Sequence, residues 1–310
     1  MKISTDKTAL WQKTLRLMAA FSVAFLTLIG HRELAVAKDD PIVIAVMDPL
    51  CDKLACDCVQ GYAQRNYEKL AKYLLKKTGK HSKVAYGESL KVALEDVERA
   101  PDFVIGKYSV VLHGAAAAKY KLAPIAHLTG KDGSTTQSGL IVVRTADEAS
   151  LVDDLEGYRI FFGPEECDEK NAAARELLKS AEVKIPEPLE ILGACSEAAK
   201  KLVALEPSVK AAAVISSYAQ PLLEGCGNIK KGDLRIVGET KKLHFVTVFV
   251  NEKLDPIARD LVLKALLEMG KDTEMLAALE TKNGFVPFKN EIDQDVTAPA
   301  ATKNETAKKK

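Results

Sequence analysis

The sequence predicts an α/β protein built from two similar series of strands and helices. Short apolar runs rich in β-branched residues alternate with amphipathic helical segments along most of the 310 residues, a pattern typical of mostly parallel sheets flanked by helices. The hydrophobic content of 47% and the charged content of 28% are ordinary for a globular protein. A chain of this length is expected to form two lobes, each with its own core.

The first series begins at the apolar run Ile42–Val46, which predicts a buried strand between Pro41 and Asp48. A helical face with apolar residues three and four positions apart follows, and Gly79 is a typical helix end. Further segments of this series are predicted at Lys83–Tyr86, Leu90–Val97, Asp102–Gly106, Val110–Tyr120 and Pro124–Leu128.

The second series repeats the alternation. Its strands are predicted at Gly139–Arg144, Tyr158–Phe162, Ala211–Ile215, Leu234–Val237 and His244–Val250, and its helices at Asn171–Ser180, Cys195–Leu205 and Pro256–Met275. We expect residues 38–139 together with 251–289 to form lobe 1, residues 140–250 to form lobe 2 including the hinge crossovers, and residues 290–310 to form a disordered polar tail.

The N-terminus predicts a secretory signal peptide over residues 1–37. Four basic residues precede the apolar run Leu17–Gly30, and Ala35-Val36-Ala37 supplies a cleavage site of small residues near Ala37. A membrane anchor is the alternative, but the apolar run is shorter than the roughly 20 residues that a span needs. The expected location is therefore the periplasm.

The charge balance argues against a nucleic-acid partner. The chain carries 44 Lys and Arg and 43 Asp and Glu, a formal net charge of +1, whereas nucleic-acid binders usually show a basic field. The scattered histidines do not pair with a serine or cysteine in the order of a catalytic triad, and no cofactor motif occurs. We therefore expect a binding protein without a cofactor and not an enzyme.

The six cysteines have two open interpretations. In an oxidising compartment they are expected to form disulfides, for example between Cys167 and Cys195, each typically worth about 2–4 kcal/mol. Alternatively, Cys51, Cys56 and Cys58 in the loop after the first strand form a site for a soft metal or metalloid. Spacing alone does not decide between the two.

The order and spacing of several segments resemble the periplasmic solute-binding proteins of the phosphate/phosphite/phosphonate type. These segments are Ile42–Val46, Tyr67–Leu74, Phe103–Tyr108, Gln137–Arg144, Leu155–Ile160 and Gly284–Pro287. The resemblance implies the type II periplasmic-binding-protein architecture, in which two hinged lobes enclose a ligand cleft and the ligand is delivered to an ABC permease. It also implies an oxyanion on a hydroxyl-rich turn after the first strand of the second lobe, where a helix N-terminus favours an anion.

The matching turn in this chain, residues 163–169, carries four carboxylates and one thiol in place of hydroxyls. Repulsion between unit charges at 4 Å is about 1 kcal/mol in water and about 4 kcal/mol at an effective dielectric constant near 20, so the turn disfavours a phosphonate dianion. From the resemblance and from the strand ends we predict ligand contacts at Lys107, Tyr108, Thr135, Gln137, Cys167, Asp168, Ser196, Glu197 and Ser216.

The predicted function is that of an exported solute-binding component of an ABC-type importer. It binds a phosphonate- or phosphate-like oxyanion between two hinged lobes, acts as a monomer, and has an inner-membrane permease as its partner. The alternatives are a soft metal or metalloid binding protein that uses the cleft cysteines, or the input module of a sensor.

Overall fold

The computed structural model describes residues 40–55 and 64–292. The predicted signal peptide, Cys56, Cys58 and the predicted tail beyond residue 292 lie outside the described residues. None of the helices in the described ranges is both long enough and apolar enough to cross a membrane.

Thirteen strands occur in the described ranges. They are β1 (Ile42–Met47), β2 (Ser82–Tyr86), β3 (Phe103–Lys107), β4 (Leu122–Leu128), β5 (Thr136–Gln137), β6 (Gly139–Arg144), β7 (Arg159–Phe162), β8 (Glu190–Ile191), β9 (Ala211–Ser216), β10 (Leu234–Glu239), β11 (Leu243–His244), β12 (Val246–Asn251) and β13 (Phe285–Pro287).

The same ranges contain eight α-helices. They are α1 (Tyr67–Thr78), α2 (Leu90–Ala93), α3 (Tyr108–Ala118), α4 (Ala172–Ser180), α5 (Cys195–Ala204), α6 (Ala219–Gly225), α7 (Pro256–Glu268) and α8 (Thr273–Ala278). Short 3₁₀ helices occur at Val152–Leu155, Asp168–Lys170 and Met269–Lys271.

The first sheet has six strands in the order β13-β4-β12-β3-β1-β2. β1 is parallel to β2 and β3, and β12 runs antiparallel to β3 and β4. All six residues of β1 are buried because helices cover both faces of the sheet: Ile44 and Val46 pack in a cluster with α1 and α7, whereas Ala45 and Met47 pack in a cluster with α2 and α3. This double coverage explains the continuous apolar run that marks the strand in the sequence.

The second sheet has five strands in the order β10-β6-β9-β7-β8. β7 is parallel to β8 and β9, and β6 is antiparallel to β9 and β10. Successive residues of β6 enter different clusters, Val142 in one and Val143 in another, as expected for a strand covered on both faces. The two-sheet α/β fold predicted from the sequence is therefore confirmed.

The chain crosses between the sheets through β5 and β11, which pair antiparallel with Thr136 opposite His244. The segment Gly139–Arg144 belongs to the second sheet, and Val246–Asn251 belongs to the first sheet. The sequence analysis predicts that lobe 2 ends at residue 250. In the structure, the backbone of β12 pairs with β3 and β4, so this strand belongs to the first sheet. The lobe boundaries themselves stay a prediction.

Capping residues define both ends of helix α1. The Asn66 side chain accepts a hydrogen bond from Lys69 N, which satisfies a free N–H of the first turn. Gly79 has a φ of 72° and donates its N–H to Leu75 O, a left-handed cap that favours glycine.

The helix predicted over Pro256–Met275 is interrupted. α7 ends at Glu268, a 3₁₀ turn follows over Met269–Lys271, and α8 begins at Thr273. The Asp272 side chain accepts from Met275 N and caps the new helix, so a capping residue inside the apolar repeat starts a second element.

A buried polar cluster closes the carboxyl end of β1. The Asp48 carboxylate, 0% exposed, accepts from Arg65 Nη1 at 2.9 Å, from the Tyr67 hydroxyl at 2.6 Å and from Leu50 N at 3.0 Å. Burial raises the pKa of Tyr67 well above its ordinary value, and the neighbouring carboxylate raises it further. Asp48 therefore ties the segment after β1 to the start of α1.

We expect the Asp48→Asn substitution to lower the free energy of unfolding by about 3–5 kcal/mol, because it leaves the Arg65 charge buried without its partner. Denaturant titration measures this change. Glu268→Gln, which breaks the exposed Lys77–Glu268 pair at 3.7 Å, is the control and should cost less than about 1 kcal/mol. Equal effects of the two substitutions would contradict a stabilising role for Asp48.

An aromatic cluster lies beside the crossover strands. The His127 and His244 rings stack with centroids 4.8 Å apart, and Phe288 lies 4.7 Å from His127, while Tyr108 lies 4.9 Å from His244. His127 Nδ1 also lies 3.0 Å from the Thr247 hydroxyl. Burial, together with the neighbouring His244, lowers the pKa of His127 from 6.5 to about 4, and burial lowers the pKa of His244.

Stability is expected to fall as the pH decreases from 6.5 toward about 4. In this range the unfolded chain binds a proton at His127 that the folded chain does not, so each pH unit costs up to about 1.4 kcal/mol per histidine. His127→Phe should flatten this dependence in denaturant titrations at several pH values, whereas His81→Phe at an exposed position should not. An unchanged slope in His127→Phe would contradict the assignment.

Candidate functional site

A cavity of about 590 Å³ lies between the two sheets. Loops that follow β1 and β3 line one side, and loops that follow β7, β8 and β9 line the other. Its position at the carboxyl ends of parallel strands is the usual place for ligands in α/β folds. The volume lies within the range of small-molecule sites.

The polar centre beside this cavity is a buried ion pair between the two sheets. Lys107 ends β3, Glu169 lies in the 3₁₀ turn after β7, and Lys107 Nζ lies 2.5 Å from Glu169 Oε1. The Ser216 hydroxyl at the end of β9 donates to the same oxygen at 2.7 Å. The Lys107 side chain is 5% exposed and the Glu169 side chain 0% exposed.

The environment of this pair favours the charged lysine. Burial alone would lower the pKa of Lys107, but the Glu169 carboxylate outweighs that effect and raises the pKa above its ordinary value. Glu169 Oε2 is buried without a hydrogen-bond partner in the described part of the chain. The two donors therefore converge on one carboxylate oxygen of the protein itself.

Close backbone packing allows Glu169 to reach this position. A Cβ atom at Gly139 would lie 1.9 Å from the Glu169 carbonyl oxygen, so glycine at the start of β6 permits the approach of the turn. The turn is closed by Gly163 N donating to Lys170 O at 3.0 Å and by Asn171 Nδ2 donating to Gly163 O at 2.8 Å.

Helix α3 makes further contacts with the turn after β7. The Ser109 hydroxyl donates to Glu166 O at 2.8 Å and accepts from Asp168 N at 3.4 Å. His113 Nε2 lies 3.6 Å from Asp168 Oδ1 at a half-exposed position. These contacts join an element of the first sheet to a loop of the second.

The described cysteines are free thiols, so the expected disulfide between Cys167 and Cys195 is absent from this structure. Ser216 N donates to Cys195 Sγ at 3.4 Å, which gives this sulfur a partner other than a second thiol. Burial raises the pKa of Cys167, and Lys107 and Lys170 oppose this rise.

The structure gives no support to a metal site at Cys51 within the described residues. Burial raises the pKa of the Cys51 thiol to about 12, which disfavours the thiolate that binds metals. Residues 40–55 and 64–292 contain no group of three or more His, Cys, Asp or Glu that could hold a metal ion. Cys56 and Cys58 lie outside these ranges, so the predicted three-cysteine site is not tested as a whole.

The predicted contact residues divide into two groups. Lys107, Cys167 and Ser196 line the cavity, and Ser216 lies beside it through its bond to Glu169. Tyr108 instead packs in the aromatic cluster with His244 and Phe288.

The remaining predicted residues lie apart from the cavity. Thr135 accepts from Phe245 N through its backbone, Glu197 is exposed on α5, and Asp168 contacts His113. Gln137 lines a second cavity of about 460 Å³ beside Phe245. Ligand contact stays a prediction for every residue of the set.

The predicted set leaves out Lys170 and also Tyr218, which was considered only as a residue at the end of a strand, and the sequence analysis treated Glu169 only as repulsive charge. Tyr218 lines both cavities and stacks on Phe245 with centroids 5.0 Å apart. Lys170 is 5% exposed, lines the larger cavity and donates to Gly193 O at 3.1 Å. The sequence signal that could have identified Lys170 as a site residue is its position directly after the acidic turn.

Comparison with solved structures shows what this fold resembles. XAC2383 from Xanthomonas citri bound to ATP is 14% identical, with 80% of this chain and 91% of that chain covered and a TM-score of 0.60. A binding-protein component of an ABC phosphonate transporter from Pseudomonas aeruginosa is 11% identical, with 81% and 82% covered and a TM-score of 0.60. At these identities the likeness concerns the fold.

A third solved structure has the same fold. PhnD1 from Prochlorococcus marinus in complex with methylphosphonate is 12% identical, with 80% of this chain and 93% of that chain covered and a TM-score of 0.58. No curated protein matches the sequence.

A family model matches residues 60–292 and describes ABC-transporter phosphonate periplasmic substrate-binding proteins. The match covers well over half of the chain. This family is a class of transport proteins and not a class of enzymes. The chain belongs to the family of periplasmic phosphonate substrate-binding proteins of ABC transporters.

Proposed function

We propose that the protein is the exported solute-binding component of an ABC-type importer and that it binds a small oxyanion-bearing solute between two hinged lobes. The observation that carries this proposal is the cavity of about 590 Å³ lined by loops of both sheets. A ligand in that position contacts both lobes, so its binding energy favours the closed arrangement.

Family membership and the basic-apolar N-terminus support export to the periplasm, with cleavage near Ala37. The proposed partner is an inner-membrane permease, and the proposed form is a monomer. The near-zero net charge of +1 is consistent with a small solute rather than a nucleic acid.

The Lys107–Glu169 pair supports lobe closure as part of this function. The two side chains come from different sheets and meet away from water, so their attraction is stronger than that of a surface pair. The Ser109 contacts with the turn after β7 also favour the closed arrangement of the lobes.

The Ala194→Trp substitution tests the cavity. Ala194 is exposed at the N-cap of α5 and lines the cavity, so an indole ring there occupies ligand space without disturbing the core. We expect retention of the natural solute by the exported protein to fall by about tenfold or more. Native mass spectrometry measures the retained mass.

The control for Ala194→Trp is Ala117→Trp, at an exposed position of α3 outside the cavity lining. It should leave retention unchanged. Equal retention by Ala194→Trp and the unmodified protein would overturn the proposed function at this cavity.

The Glu169→Gln substitution tests closure. It leaves the Lys107 ammonium buried without a counter-charge, which weakens the contact between the sheets by about 3 kcal/mol. We expect a larger radius of gyration in small-angle X-ray scattering, because the lobes separate. Glu165→Gln removes the same charge at an exposed position of the same turn and should leave the radius unchanged. An unchanged radius in Glu169→Gln would refute the closing role of the pair.

A further inference from the structure

The larger cavity contains a buried cation without a counter-charge. Lys170 is 5% exposed, and among the described residues its ammonium has a hydrogen bond to Gly193 O but no ion-pair partner. Its side chain passes directly over the backbone of the turn, since a Cβ atom at Gly163 would lie 2.5 Å from Lys170 Cβ. An ammonium group has three N–H donors, so this lysine retains donors for a ligand.

The other lysine of the cavity is already neutralised. Lys107 pairs with Glu169 at 2.5 Å, and both side chains are at most 5% exposed. The remaining carboxylates of the lining, Glu88 and Glu166, are exposed and are therefore screened by water. Among the described residues, the buried charge that the cavity offers to a ligand is the single positive charge of Lys170.

The first turn of α5 lies beside this lysine. Residues 193–196 line the cavity, and Gly193 contacts the ammonium directly. Ala194 at the N-cap has no side chain that accepts from the N–H groups of the turn. A ten-residue helix therefore presents its positive end at the place where the ammonium lies.

The rest of the cavity surface is mostly apolar. Leu50 and Leu54 contribute from the first sheet, and Val110 and Leu222 add partly exposed apolar surface opposite the charged end. A compact ion touches only the charged end and leaves this surface wet. Burial of apolar ligand surface is favourable by about 25 cal/mol per Å². A ligand with an apolar body therefore gains binding free energy from contact with these walls.

We infer that the solute is a small monoanion with an apolar body, whose oxyanion head binds Lys170 and the first turn of α5 and whose body packs on Leu50, Leu54 and Leu222. This inference rests on the proposed function and specifies its ligand. A second negative charge on the head would remain uncompensated in a site of low dielectric constant, where it is costly. The head is a carboxylate, a sulfonate or a phosphonate monoester, which share this charge.

Isothermal titration calorimetry on the exported, dialysed protein tests the ligand class. The amphiphilic monoanions are octanoate, octanesulfonate and the monooctyl ester of methylphosphonic acid, and they distinguish the three head groups. Acetate and methanesulfonate present the head alone, octanol presents the body alone, and inorganic phosphate and methylphosphonate present compact heads that can lose a second proton. We expect at least one amphiphilic monoanion to bind about tenfold or more tightly than every compact or uncharged compound.

The Lys170→Met substitution tests the head position, because it keeps the aliphatic stem and removes the charge. We expect the affinity for the best amphiphilic monoanion to fall about tenfold or more, and the affinity for octanol to be retained. Lys201→Met is the matched control: it removes a lysine near the other end of α5, outside the cavity lining, and should leave both affinities unchanged.

The possible results separate this inference from the function on which it rests. Tighter binding of phosphate or methylphosphonate than of every amphiphilic monoanion would overturn the ligand class, whereas the proposed function would stand. An unchanged affinity of Lys170→Met for the monoanion would overturn the head position. Absence of binding by every compound of the panel would also overturn the ligand class. The proposed function would still be supported in that case if the protein retains a natural solute and Ala194→Trp abolishes this retention.

Discussion

The contact between Lys107 and Glu169 is the constraint on which the arrangement of the two sheets depends. A lysine at the end of β3 and a carboxylate after β7 are far apart in the chain, yet they meet at 2.5 Å with almost no exposure. Desolvation of two charges costs several kcal/mol per ion. The pair is tolerable because each charge compensates the other and because Ser216 adds a second hydrogen bond to Glu169. Separation of the sheets would expose both charges again.

The Lys107–Glu169 contact also determines which positive charge in the cavity remains free to bind a ligand. Because the Glu169 carboxylate pairs with Lys107, the buried positive charge left in the described cavity lining is that of Lys170, 63 positions further along the chain. The turn that carries Glu169 also carries Lys170, and its closure by Gly163 and Asn171 places the two side chains in different environments. One short segment therefore both joins the sheets and supplies the buried cation at the candidate binding surface.

Local patterns were sufficient for most of the fold. The buried run of β1, the cap at Asn66 and the left-handed Gly79 are encoded within a few residues, and the doubled α/β series predicts two sheets. The break at Asp272 was missed because the apolar repeat continues across it. Ligand contact was predicted for both Lys107 and Tyr108. The Tyr108 ring packs against His244 and Phe288, contacts that depend on elements more than 100 residues away, and its ligand contact stays a prediction.

The acidic turn after β7 shows why charge along a sequence is a poor guide to charge in a site. Its four carboxylates suggest a uniformly repulsive surface, but they lie at different depths. Glu165 and Glu166 are exposed and act through water, Asp168 faces His113, and Glu169 is fully buried against Lys107. Since electrostatic energy rises steeply as the local dielectric constant falls, the depth of each group decides its effect. Under the proposed function, the turn therefore restricts the charge and shape of the anion and does not exclude it.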